Sequence, residues 1–139
     1  MAQRGHRVAP HTADLIVEAW GPTRVACLEE IATALVESFC DVRDAPVAES
    51  VPVAIDADSD LDVLAELLEE IVYLAEVTGV VPVTLSLTDA GNGGVAGFFE
   101  VAPVDAVETT GAVPKGVSYG ELRLAAEDGR WSGHAVVDV

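Results

Sequence analysis

A chain of 139 residues, half of them apolar, can bury one sizeable core but has no room for two independent ones. Its 24 acidic and 7 basic side chains give a formal net charge of −17. That disfavours unaided binding to nucleic acid or to an anionic membrane surface, and favours cations or a basic protein partner; an acidic proteome would give the same charge with no partner at all.

The N-terminal Arg4-Gly5-His6-Arg7 is not followed by an apolar run, so no secretory signal is readable. No stretch reaches the roughly 18 apolar residues of a membrane helix. Asp14 to Trp20 reads as a strand, stopped by Gly21-Pro22. Thr23 caps a helix in which Leu28, Ile31, Ala32, Leu35 and Phe39 recur at helical spacing. Cys27 falls inside that helix and Cys40 just past its end. With no Cys-x-x-Cys or Cys/His spacing around them, they read as reduced structural cysteines of a cytoplasmic protein.

Val47 to Ile55 alternates around Pro52, as an edge strand does. Asp56 to Asp60 is a polar turn offering an N-cap. A second helix is expected from Leu61 to Thr78, with Leu64, Leu67, Leu68 and Ile71 in its buried stripe and Gly79 just past its end. Val81 to Thr88 and Phe98 to Val101 form a hairpin around Asp89–Gly94. Residues 103–114 read as a loop. Val117 to Ala126 and Trp131 to Val139 pair as a last hairpin through Asp128-Gly129. The order β-α-β-α-β-β-β-β predicts a single α+β domain over residues 1–139, with a mixed or antiparallel sheet and two helices on one face.

Two carboxylates stand out. Asp14 opens an apolar strand after His11-Thr12-Ala13, and Asp138 lies between two valines in the closing strand. Either can be a solvated strand end. If the first and last strands are neighbours, the two can instead share a hard cation, with a backbone carbonyl, waters and the oxygens of Val139 completing the shell. Held close without a cation, they would repel, and one would take up a proton. Lys115 is the sole lysine of this acidic chain, suited to a partner or a phosphate. His11 beside Asp14 permits acid–base chemistry, but no nucleophile stands at a triad spacing. Asp56, Asp58, Asp60 and Asp62 alternate like the start of a calcium loop. Leu61 and Leu67 occupy the positions that need Gly and Glu, so the run reads as helix capping and solvation. Gly91-Asn92-Gly93-Gly94 lacks a following Lys-Ser/Thr and is not a phosphate loop.

Read together, several segments resemble the archease family in order along the whole chain. They are His11-Thr12-Ala13-Asp14, Glu18-Ala19-Trp20-Gly21, Leu67 to Leu74, Lys115-Gly116-Val117-Ser118-Tyr119, Asp128-Gly129-Arg130-Trp131 and the closing Val136-Val137-Asp138-Val139. Departures from the family pattern are Pro10, Glu69, Gly116 and Gly120. The resemblance implies a non-catalytic cofactor of the tRNA-splicing RNA ligase, the enzyme that joins 2′,3′-cyclic-phosphate or 3′-phosphate ends to 5′-hydroxyl ends. Such a cofactor promotes guanylylation of the ligase and its multiple turnover, in tRNA splicing or RNA repair. The resemblance further implies a divalent metal, calcium with magnesium or manganese as alternatives, held by Asp14, Asp138 and the backbone of Val139. Lys115 takes the position of the family's functional lysine. The rival readings are a chaperone-like acidic binding module and a metal-dependent hydrolase.

Overall fold

Thr23 and Ser59 start the two helices. Each lies in extended backbone, and its hydroxyl accepts a hydrogen bond from the amide three residues on, Ala26 and Asp62 respectively. The computed structural model describes residues 3–11 and 14–139. Helix α1 runs Arg24–Glu37 and α2 Asp60–Tyr73. A π-helical turn, Leu74–Thr78, continues α2 until Gly79 closes it in the left-handed region at φ 73°. The sequence reading placed one helix over this whole span.

Among the described residues ten strands surround the helices: β1 Gly5–His11, β2 Asp14–Gly21, β3 Cys40–Asp41, β4 Glu49–Ile55, β5 Val80–Asp89, β6 Val95–Pro103, β7 Glu108–Thr109, β8 Gly116–Val117, β9 Arg123–Glu127 and β10 Arg130–Asp138. All their pairings are antiparallel. They build three sheets where one was expected. The largest has the order β1-β2-β10-β8, with β9 sharing the β8 edge of β10. A second has the order β4-β6-β5, which leaves β4 at its edge as Pro52 foretold. The third is the short β3–β7 pair, where residues 103–114 were expected to form only a loop.

Two further corrections concern the large sheet. Strand β1 was not anticipated. Its residues opposite the buried Val17 and Ala19 of β2 are Val8 and His6, and Pro10 stands opposite Leu15, so a histidine and a proline hide its apolar alternation. Pro10 is tolerated because β1 pairs on one side only. The expected Val117–Ala126 strand is broken by a 3₁₀ turn at Tyr119–Glu121 into β8 and β9. The β9–β10 turn itself is as read: Asp128 (φ 55°) and Gly129 (φ 74°) are both left-handed, the geometry Asp-Gly supplies in a two-residue hairpin.

Helix α1 packs on β1, β2 and β10 and also on β5; α2 packs on β8, β9 and β4. The helices therefore join the large sheet to the three-stranded one. Ile31 and Leu35 of α1, Leu64 and Leu68 of α2, Val17 of β2 and Phe99 of β6 are fully buried in one continuous core. Both cysteines are free and buried, and burial pushes their thiols up to about 11, so they stay uncharged and structural.

Candidate functional site

Alternation along β2 and β10 sends Val17, Ala19, Ala135 and Val137 into the core and their neighbours to the opposite face. Asp14 and Asp138 belong to that opposite face. The register places them directly across from one another. Opposed residues of an antiparallel pair project from the same face with Cβ atoms about 4.5–5.5 Å apart. The strand that Asp14 opens, which is the second and not the first, and the closing strand β10 are thus neighbours, and their acidic ends coincide.

The row extends on both sides. His11 of β1 lies opposite Asp14, and Gly116 of β8 opposite Asp138. The side chain of His11, and Thr12 and Ala13, lie outside the described residues. Lys115 precedes β8, and its amide donates to the Asp138 carbonyl at 2.7 Å. The amide of Ser118 donates to the Val136 carbonyl at 2.9 Å, so this segment is clasped to β10 at two points. The Lys115 side chain is exposed, as is Asp138; Asp14 and Val139 are half-buried. Every candidate residue read from the sequence therefore gathers at one end of the large sheet.

The donor set is all oxygen: two carboxylates on one face and the main chain of Val139 beside them. That chemistry fits a hard divalent cation and does not suit a thiophilic one. Among the described residues no group of three or more His, Cys, Asp or Glu side chains converges for a metal. A cation here would draw its other ligands from backbone oxygen and water, as calcium commonly does.

Further along the same face lies a cluster that sequence reasoning left unassigned. Glu18 accepts from Arg7 Nε at 2.8 Å and meets His134 Nδ1 at 3.3 Å. Those partners, His134 foremost and then Arg7, hold its carboxyl below the usual range against the opposing effect of burial. Toward the far end, Trp20 lies over Gly5, where a Cβ would meet its ring at 2.6 Å, and the Arg130 guanidinium stacks 5.4 Å from the Trp20 centroid. At the α2 side of the row, the Tyr119 hydroxyl donates to Glu69; that bond to a carboxylate pushes the phenol up to about 12. Glu18, Trp20, Glu69 and Tyr119 all lay in motifs singled out above. Their partners depend on cross-strand register and helix placement, which spacing along the chain does not display.

The model of the Archease protein family matches residues 6–139. The chain belongs to the archease family. In Mycobacterium tuberculosis, the probable protein archease of two strains is 41% identical over 135 residues, covering 97% of this chain and 75% of the relative. Two solved structures, each 19% identical, share the fold. The solution structure of Methanobacterium thermoautotrophicum protein 1598 superposes with a TM-score of 0.75 over 97% of this chain and 99% of its own. A crystal structure from Thermotoga maritima, described as an archease and possible chaperone, gives 0.66 over 93% of each. The α+β architecture expected from the sequence is that of these archeases. No described helix is long and apolar enough to cross a membrane.

Proposed function

We propose that this archease is a cytoplasmic accessory protein, not itself catalytic, that activates the 3′-phosphate/5′-hydroxyl tRNA-splicing RNA ligase by promoting its guanylylation and multiple turnover. The observation that carries this is the single row of His11, Asp14, Asp138 and Gly116, with Lys115 fastened to Asp138 through its amide. A hard divalent cation, calcium or else magnesium or manganese, would be held by the carboxylates of Asp14 and Asp138 and the main chain of Val139. When bound it would supply positive charge at the sheet end and relieve the repulsion between the carboxylates. Lys115, exposed beside them, would reach a phosphate or an acidic group on the partner, and His11 would border the same contact. The excess of carboxylates suits docking on a basic RNA-binding enzyme and steers the encounter. RNA contact is left to the ligase.

The test is single-turnover guanylylation of the cognate ligase with and without this protein. Acceleration is expected, and it should disappear in Asp14→Ala and in Asp138→Ala. Folded variants that accelerate as well as wild type would sink the metal-site reading.

A chaperone-like role is the second reading, favoured by the description of the Thermotoga relative and by the exposure of Phe98 on β6 and Tyr119 near α2. It expects suppression of aggregation of unrelated clients, insensitive to both aspartate changes and to chelation of divalent metal.

A further inference from the structure

The core-facing side of β1 carries a histidine in an unusual setting. His6 Nδ1 lies 2.6 Å from Glu30 Oε1, and its Nε2 lies 2.6 Å from Glu37 Oε1. Both carboxylates belong to α1, seven residues and so about two turns apart on one helix face. A carboxylate presents only acceptors to a ring nitrogen. Both nitrogens can donate at once only in the imidazolium form, since the neutral ring has one N–H and one lone pair. At 2.6 Å the lone pair of a neutral ring would face a carboxylate oxygen.

We propose that His6 is a pH-operated latch that fastens edge strand β1 to helix α1. The groups around it are few. From the N-terminal side, Arg4 bonds Glu30 and, at 3.1 Å, Glu29. From α1 come Glu29, Glu30 and Glu37. From β2, the residue opposite His6 is Ala19, which brings no charge. With the ring protonated, two cations meet three carboxylates; with the ring neutral, one cation remains.

Burial works against the charged ring, and the hydrogen bonds and charges of Glu30 and Glu37 outweigh it, so the His6 pKa stands above its ordinary 6.5. A group whose pKa is raised by folding stabilises the fold fully below the unfolded value, and that stabilisation fades as pH rises through the folded value. The latch is therefore closed in mild acid and opens on the alkaline side of 6.5. Arg4 still holds Glu30 when it opens, so the strand loosens without leaving. Loosening reaches the functional end, because β1 runs directly from His6 to His11, the residue opposite Asp14.

The experiment combines an NMR titration of the three histidine rings with amide hydrogen exchange of residues 3–11, corrected for intrinsic rate, from pH 5.5 to 9. The His6 ring is expected to titrate above 6.5. Protection of 3–11 should fall at least tenfold across that titration while α1 and β10 keep theirs. In His6→Gln the protection of 3–11 should be low throughout and flat with pH. In His134→Gln, which alters the other described histidine–carboxylate contact, the pH dependence should persist. A His6 ring that titrates at or below 6.5 would overturn the latch. So would a pH-dependent fall in protection that survives in His6→Gln, or full protection of 3–11 after His6 has deprotonated in wild type.

Discussion

In two regions of this molecule the fold draws a pair of aspartates together from distant parts of the chain. At the start of α1, Asp60 of α2 and Asp89 of β5 converge on Arg24, at 2.8 and 2.7 Å. The guanidinium also donates to the carbonyls of Gly93 and Gly94, at 2.8 and 3.1 Å, and only 12% of its side chain is exposed. There one arginine pins both helix starts to the β5–β6 hairpin, and the fold supplies its own cation. At the other pair, Asp14 and Asp138, strand register brings the carboxylates together, and the proposed cation comes from solution. The first arrangement is architectural and permanent. The second, in the proposed reading, would be open to exchange.

The comparison breaks most sharply at Arg24. Arg24→Ala should destabilise the fold by about 3 kcal/mol in urea unfolding, because Asp60, Asp89 and two carbonyls lose their common donor. Arg24→Lys should recover part of that loss, since a point charge cannot bond in a fork. If Arg24→Ala unfolds like wild type, the two aspartate pairs are not different in kind.

At the other pair the sign should invert. Calcium at about one hundred times its Kd should raise wild-type stability by about 2.7 kcal/mol. Asp138→Asn should abolish that increment, yet be as stable as metal-free wild type or slightly more so, because a like-charge cross-strand pair is removed. Thermal unfolding with calcium and with chelator reads both effects.

Lys115→Ala separates function from folding. The exposed side chain forms no ion pair with the described residues, so stability should change by less than about 0.5 kcal/mol. Ligase guanylylation should nevertheless fall at least tenfold. The smallest expected effect is Tyr119→Phe. Loss of its exposed bond to Glu69 should cost about 0.5 kcal/mol. That increment should be present below pH 10, the ordinary phenol value, and be lost as pH rises toward about 12, where the folded phenol ionises. Spectrophotometric titration of the tyrosines follows it.

How much of this was legible beforehand follows a physical line. Both helices and their caps could be read, because Thr23 and Ser59 act on amides three residues away. The β5–β6 and β9–β10 hairpins could be read, because turn chemistry is equally local. Strand β1 could not, since its inward positions hold His6 and Pro10, one engaged by α1 and the other allowed by an edge. The split between β8 and β9 was hidden because Tyr119 is drawn toward Glu69, a contact across 50 residues. The meeting of Asp14 and Asp138 was legible only as a condition, that the strand opened by Asp14 lie beside the closing strand. The register fulfils it. The Glu18–His134 contact rests on the same register, yet nothing in either segment announced it.

Trp20 has a consequence of an optical kind. Both indoles of the chain, Trp20 and Trp131, sit where β2 ends and β10 begins, six residues of β2 and so about 20 Å from Asp14. Trp20 is wedged between Gly5 and Arg130, in sight of the strand that His6 secures. Tryptophan emission from this archease should therefore report the attachment of its first strand, and stay nearly dark to whatever binds at the carboxylate row.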